Sequence, residues 1–254
     1  LHKEYRRQRQ MCIRDRADPA ILDKINVTLE HQKIIDGHAP LLSGQELNGY
    51  VAAGIRSDHE CSNVREAKEK FARGQWIMVR EGTAAHNLEA LLPLFEAPYA
   101  QRIMLVTDDK HPCDLLRDGH IDAIVRKAVQ KGIDPVKAIK AGTYNAASYF
   151  GLVNHGAIAP GYCADIAVLD SLTELNVLEV YKDGVLAAEN GKSLVKSSVP
   201  EMGQEIQERV YHSFHVDPVN VSQLAMEKKG ERIRVIDLNA HELLTTERLS
   251  LIHI

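Results

Sequence analysis

The sequence predicts an α/β fold made of consecutive βα units, and three observations carry that prediction. Short apolar runs bounded by polar residues end near His38, Ser57, Val79 and Thr107, as buried parallel strands do. Segments with helical spacing lie between them, and this alternation is the pattern of a parallel sheet. The runs also end on histidines and acids, in Ile34-Ile35-Asp36-Gly37-His38-Ala39-Pro40, Ser57-Asp58-His59-Glu60 and Val106-Thr107-Asp108-Asp109. Carboxyl ends of strands are where α/β barrels place their chemistry. Two histidines and an aspartate delivered there form a nitrogen and oxygen donor set suited to a divalent metal.

The elements follow in order. Asp18 is a good N-cap with Pro19 at the first helical position, and Ile21, Leu22, Ile25 and Leu29 recur at helical spacing. A short helix carrying Leu47 and Val51 separates the first two strands. Asn63 and Glu66 match a capping box, with Gly74 as C-cap, and Lys68, Glu69 and Lys70 read as the solvated face of the helix between. Trp76 to Val79 is the third strand, a helix runs through Leu88, Leu91, Leu92 and Phe95, and Ile103 to Val106 is the fourth strand. Ile121, Ile124, Val125, Ala128 and Val129 mark an amphipathic helix. Asp134-Pro135 starts another that runs to Phe150 before Gly151 stops it. Asp183-Gly184 between β-rich flanks is a hairpin signal and marks a small β domain. Arg232 to Leu238 is one further strand.

A chain of 254 residues with 44% hydrophobic content has enough apolar material for a real core. Its net charge of -4 gives no electrostatic reason to expect nucleic acid or an anionic membrane as partner. Cys12, Cys61, Cys113 and Cys163 are scattered without a CxxC pair, so neither a disulfide framework nor a zinc ribbon is suggested, and a reducing cytoplasm is the default compartment. No stretch approaches the ~20 apolar residues of a membrane span.

Four βα units make half of an eightfold barrel. The basic, patternless segment 1–16, in which Met11 to Arg16 resembles translated adapter sequence, and the closing residues 249–254 read as non-native tails. Open sheet edges on a half-barrel predict self-association.

Five segments taken in order carry a resemblance: Asp36-Gly37-His38-Ala39-Pro40, Ser57-Asp58-His59-Glu60, Arg80-Glu81-Gly82, Val106-Thr107-Asp108-Asp109 and Gly119-His120-Ile121-Asp122. The series resembles the bacterial adenine deaminases of the amidohydrolase superfamily. Gly156-Ala157-Ile158-Ala159-Pro160-Gly161 and Ala164-Asp165 look like the β-domain signature of that superfamily. The resemblance implies the C-terminal half of a TIM-like (β/α)8 amidohydrolase barrel, strands five to eight, over 17–152. A small β-sandwich-type domain over 153–198 and the start of an incomplete domain over 199–248 would follow.

It also implies a dinuclear divalent-metal centre (Mn, Fe or Zn), with His38 from strand five, His59 from strand six and Asp108 from strand eight as ligands. The His-x-His pair and bridging acid of the family are not present, so the expectation is an incomplete fragment, inactive by itself. The implied reaction is hydrolytic deamination of adenine to hypoxanthine and ammonia, a purine-salvage step. Metal-activated water attacks C6, and Asp108 takes its proton and passes it on. Glu60 and Glu81 face the same pocket, Glu60 to shuttle protons and Glu81 to hold substrate, while Asp109 accepts a hydrogen bond from the purine ring. Two rival readings are an amidohydrolase acting on another heterocycle or cyclic amide, and a non-catalytic fragment. Locally, Asp108 and Asp109 could instead cap the next helix, and Cys61 could be a small buried hydrophobe.

Overall fold

The structure, a computed structural model, describes residues 19–196, 202–225, 230–240 and 244–251. The tail readings for 1–16 and 252–254, and the Asp18 cap, lie outside the described residues. Helix α1 spans Pro19–Glu30, α2 Gly44–Ala52 and α3 Val64–Ala72, and β1 is Ser57–Asp58, β2 Trp76–Arg80 and β3 Ile103–Val106. Helix α4, Leu88–Leu91, continues in 3₁₀ turns at Leu92–Phe95 and Tyr99–Gln101.

The three strands form a parallel sheet in the order β1-β2-β3, with Ser57 opposite Trp76 and Ile77 opposite Ile103. A parallel bridge between Ile35 and Ile55 sets a fourth segment beside β1, and the Arg56 N–H donates to the Ile35 carbonyl at 2.9 Å. The first strand predicted from the sequence shrinks to this bridge. Past Ile35 the backbone bonds to side chains, with Ala39 N–H donating to Asp58 and Leu41 N–H to Glu66.

Strand alternation sorts the two faces of the sheet. Ile77, Val79, Ile103 and Leu105 pack against the helix layer, among Leu88, Leu91, Ile124 and Ala138. Met78 and Met104 point the other way and pack with Tyr149, Trp76 and Ile34. Both faces are covered, which is why these strands read as continuous apolar runs.

Asn63 caps α3 by accepting the Glu66 N–H at 2.9 Å, and Gly74, at φ +91°, closes that helix. The solvated-face reading is wrong for Lys70, which is fully buried. Glu66, Ala67 and Lys70 form the inward stripe of α3, as helical spacing of three and four residues requires.

The later helices are α5, Pro112–Asp118; α6, Ile121–Gln130; α7, Pro135–Gly142; and α8, Tyr144–Tyr149. Asp134 caps α7 by accepting from Val136 N–H at 2.9 Å and Lys137 N–H at 3.1 Å. The single helix expected from Asp134 to Phe150 breaks at Thr143, where φ is -130° and ψ -87°. The Thr143 hydroxyl donates to the Ile139 carbonyl at 2.7 Å, a local bond that bends helices. Gly142 lies so close to α6 that a Cβ there would stand 2.9 Å from Ile121 Cγ2.

Strands β4, Ile166–Leu169; β5, Val177–Lys182; β6, Val185–Glu189; and β7, Lys192–Ser193 form an antiparallel sheet in sequence order. Asp183 (φ +51°) and Gly184 (φ +78°) make the tight turn between β5 and β6, the left-handed pair that an Asp-Gly hairpin needs. Among the described residues these four strands form one sheet. Leu169 and the buried Leu175 pack against the core of the helix layer.

Farther on come α9, Gln204–Tyr211; a 3₁₀ turn at Val221–Leu224; β8, Arg232–Leu238; and β9, Thr245–Leu251. Strand β8 falls where the sequence placed it. Its partner takes in Leu249 to Leu251, which the sequence reading gave to a tail, because the Thr- and Leu-rich run pairs continuously from Leu238↔Thr245 to Arg232↔Leu251. Among the described residues no helix is long and apolar enough to cross a membrane.

Candidate metal site at the strand ends

The chain segments that leave Ile35 and β1 carry His38, His59 and Glu60. Their ligating atoms lie within 4.8 Å of one another. The two imidazoles stack with centroids 6.1 Å apart and planes 14° apart, and His38 Nδ1 stands 3.6 Å from Glu60 Oε2. Donor-to-metal distances near 2.1 Å put ligand atoms about 3–4 Å apart, so small side-chain rotations would gather the three around one divalent ion. The donor chemistry, two nitrogens and a carboxylate, fits such an ion.

Side-chain bonds to the backbone hold these segments. The Tyr50 hydroxyl donates to the His38 carbonyl at 3.2 Å, and Ala39 N–H donates to Asp58 Oδ1 at 2.8 Å. Asn87 ties the other segment down: it accepts from Arg80 N–H at 2.6 Å and donates to the Cys61 carbonyl at 3.1 Å. Gly37 is required by space, because a Cβ there would meet Tyr50 Oη at 1.9 Å and Ile55 Cγ2 at 2.4 Å.

A second donor trio, Asp58, Cys61 and Glu66, is buried, but an ammonium group fills it. Lys70 Nζ donates to Asp58 Oδ2 at 2.9 Å, Glu66 Oε1 at 2.7 Å and the Ala39 carbonyl at 2.6 Å. Burial, reinforced by the Asp58 carboxylate, pushes the Cys61 thiol well above its ordinary value. Cys61 therefore stays protonated and donates to Asp58 Oδ2 at 3.0 Å, a polar role beyond that of the small buried hydrophobe.

Asp108 is not in the histidine cluster. At φ +49° it turns its carboxylate to Arg80, whose Nη2 lies 2.6 Å from Asp108 Oδ2 and 2.9 Å from Asp109 Oδ1. Arg80 is buried and lines one cleft with His59 and Glu60, so it links the acid pair to the histidine side. Burial works to raise the Asp109 carboxyl, but the Ala84 N–H at 2.8 Å and the Arg80 guanidinium outweigh it and hold the group below its ordinary value. Neither acid caps the next helix, because His111 is the N-cap of α5.

Glu81 departs from the sequence expectation. Its carboxylate accepts from Leu88 N–H at 3.0 Å and Lys127 Nζ at 2.7 Å, and it lines a cleft with Thr83, Lys110 and Arg117 rather than the one that Glu60 lines. Strand parity is the reason: Arg80 shares a face with Met78, while Glu81 follows Val79 to the helix side. The sequence reading quoted Arg80 only as a motif residue and placed Lys70 in solvent. The same parity count, and the Glu66-to-Lys70 spacing on α3, were the signals that could have found them.

The space beside Asp109 yields a prediction. A Cβ on Gly82 would stand 1.7 Å from Asp109 Oδ1 and 2.8 Å from the Thr107 carbonyl oxygen. Gly82→Ala is expected to expel Asp109 from Arg80 and destabilise the chain by on the order of 3 kcal/mol. An unchanged urea midpoint would show that the loop absorbs the methyl group.

Comparison with known proteins fits this arrangement. The amidohydrolase family model matches residues 16–187. An adenine deaminase of Kosmotoga olearia is 46% identical over 224 residues, 88% of this chain and 38% of that protein. One from Dehalococcoides mccartyi is 45% identical over 235 residues, 92% of this chain and 39% of that protein. The chain thus spans less than two fifths of the length of these curated relatives. Among solved structures, a β-aspartyl dipeptidase of Fervidobacterium islandicum AW-1 superposes with a TM-score of 0.51 at 19% identity, covering 72% of this chain and 54% of that one, a likeness of fold. With the family model matched across both the strand-end donors and the first strands of the antiparallel sheet, this chain belongs to the amidohydrolase family.

Proposed function

We propose that this chain is part of a metal-dependent adenine deaminase, supplying strands five to eight of the barrel and the part of the active site that they carry. The observation that carries the reading is the convergence of His38, His59 and Glu60 at the ends of adjacent parallel segments. The relatives named adenine deaminases support the substrate. His38 and His59 would hold a divalent ion, with Glu60 as a third donor or as a proton carrier beside it. A bound ion of this kind lowers the pKa of a coordinated water from 15.7 to about 7 and so supplies a nucleophile at neutral pH. Asp108 takes the proton given up as the nucleophile attacks C6 of the purine and delivers it toward the departing amine. Arg80 pins that carboxylate in one orientation. Asp109 steadies the guanidinium and keeps lone pairs for a purine N–H, whereas Glu81 stays outside the site.

The test is a chimaera in which residues 19–196 replace the matching segment of the Kosmotoga olearia enzyme. It is expected to release ammonia from adenine, and Asp108→Asn is expected to lower the rate about 10²- to 10⁴-fold. Hydrolysis of another heterocycle with adenine spared would remove the substrate assignment. Full activity in the asparagine variant would remove Asp108 from the proton path.

A further inference from the structure

Lys70 is the one fully buried ammonium among the described residues, and none of the chemistry above uses it. Its three donors go to Asp58, Glu66 and the Ala39 carbonyl. Asp58 in turn receives Ala39 N–H, and Glu66 Oε1 receives Leu41 N–H at 2.7 Å. Glu66 Oε2 also accepts from the Ser62 N–H and hydroxyl, at 3.2 and 3.3 Å. The backbone just after His38 and the segment just after Glu60 are therefore fastened to one cation, while β1 contributes Asp58, the neighbour of His59. Asp58 lies opposite Ile77 in the register, on the helix side of the sheet, and alternation sends His59 to the other side.

We infer that Lys70 is a positioning residue for the metal donors: through Asp58, Glu66 and Ala39 it sets the separation of His38 and His59 from behind the sheet, without touching either. This rests on the metal-site reading above. Groups that orient ligands from behind typically change metal affinity 10- to 100-fold when removed, and the Lys70 network does so through the backbone rather than through the imidazole rings.

The test uses Co²⁺ as the probe, read by its visible absorption and by titration. The variant Asp58→Asn/Glu66→Gln/Lys70→Met removes the ammonium together with its two counter-charges, so that no buried charge is stranded. It is expected to bind Co²⁺ at least 10-fold more weakly than the unsubstituted chain, with an altered absorption envelope. A folded variant with unchanged affinity and spectrum would overturn the inference. A second measurement needs no variant: linkage is reciprocal, so Co²⁺ must slow hydrogen exchange at the Ala39 and Leu41 amides of the unsubstituted chain, and unaltered exchange there would equally overturn the inference. If the triple variant does not fold, the exchange result decides. Co²⁺ binding that survives His38→Ala/His59→Ala would instead refute the metal-site reading itself, and the inference with it.

Discussion

Replacing Lys70 alone by methionine is expected to destabilise the chain by about 3–5 kcal/mol, because it leaves Asp58 and Glu66 as buried anions without a counter-charge. At about 2–4 °C per kcal/mol for a chain of this size, the midpoint of thermal unfolding should fall by on the order of 10 °C. The pH dependence should change sign as well. Burial acts to raise the Asp58 carboxyl, but Lys70, Cys61 and the Ala39 N–H more than offset it and hold the group below its ordinary value. A depressed folded value contributes stability above the unfolded pKa of ~3.9 and loses it as pH falls through the folded value. Without Lys70, burial dominates and the folded value rises above the unfolded one, so protonation then favours the folded state. The unsubstituted chain should lose stability as pH drops below about 4, whereas Lys70→Met should gain it as pH drops from 7 toward 5. Urea midpoints across that range decide between the two; parallel curves would mean that water reaches Asp58 in the variant.

Gly37→Ala is the second large effect. The added methyl would overlap the Tyr50 hydroxyl oxygen and Ile55 Cγ2 at distances that no side chain tolerates, with Tyr50 Cζ also 2.9 Å away. Overpacking of this kind costs about 1–3 kcal/mol, and here it also evicts the hydroxyl that holds the His38 carbonyl, so a loss on the order of 3 kcal/mol is expected. Tyr50→Phe with Ile55→Ala should return part of that stability by vacating the two nearest contacts. If Gly37→Ala unfolds at the same urea concentration as the unsubstituted chain, the close packing around His38 is not a constraint.

The parallel strands and the hairpin could be read from the sequence because their signals are local. The four apolar residues of β3 and the Asp183-Gly184 pair need no knowledge of distant neighbours. The approach of His38 and His59 to each other was also legible, since each follows a segment that reads as a strand. What the sequence did not reveal depends on which side a residue faces. Lys70 looks like any surface lysine until Asp58, twelve positions away, is brought over it by the crossover from β1 to α3. Glu81 looks like a site acid until its strand register is known, and Lys127 on α6 then claims it. The break at Thr143 was hidden for a different reason: it accompanies the bond from the Thr143 hydroxyl to the Ile139 carbonyl, which a threonine can also make without ending a helix.

The alternation along β2 also bears on how such a chain can diverge. Odd-numbered positions of that strand anchor it to the helices, and even-numbered ones, Trp76 and Met78, pack in the cluster on the other face before Arg80 ends the strand at the acid pair. Substitutions in the segments that follow the strand would leave both packed clusters in place, whereas substitutions at Trp76 to Val79 would disturb one or the other. Heritable change that the scaffold tolerates is thereby expected beyond the end of this five-residue strand rather than within it.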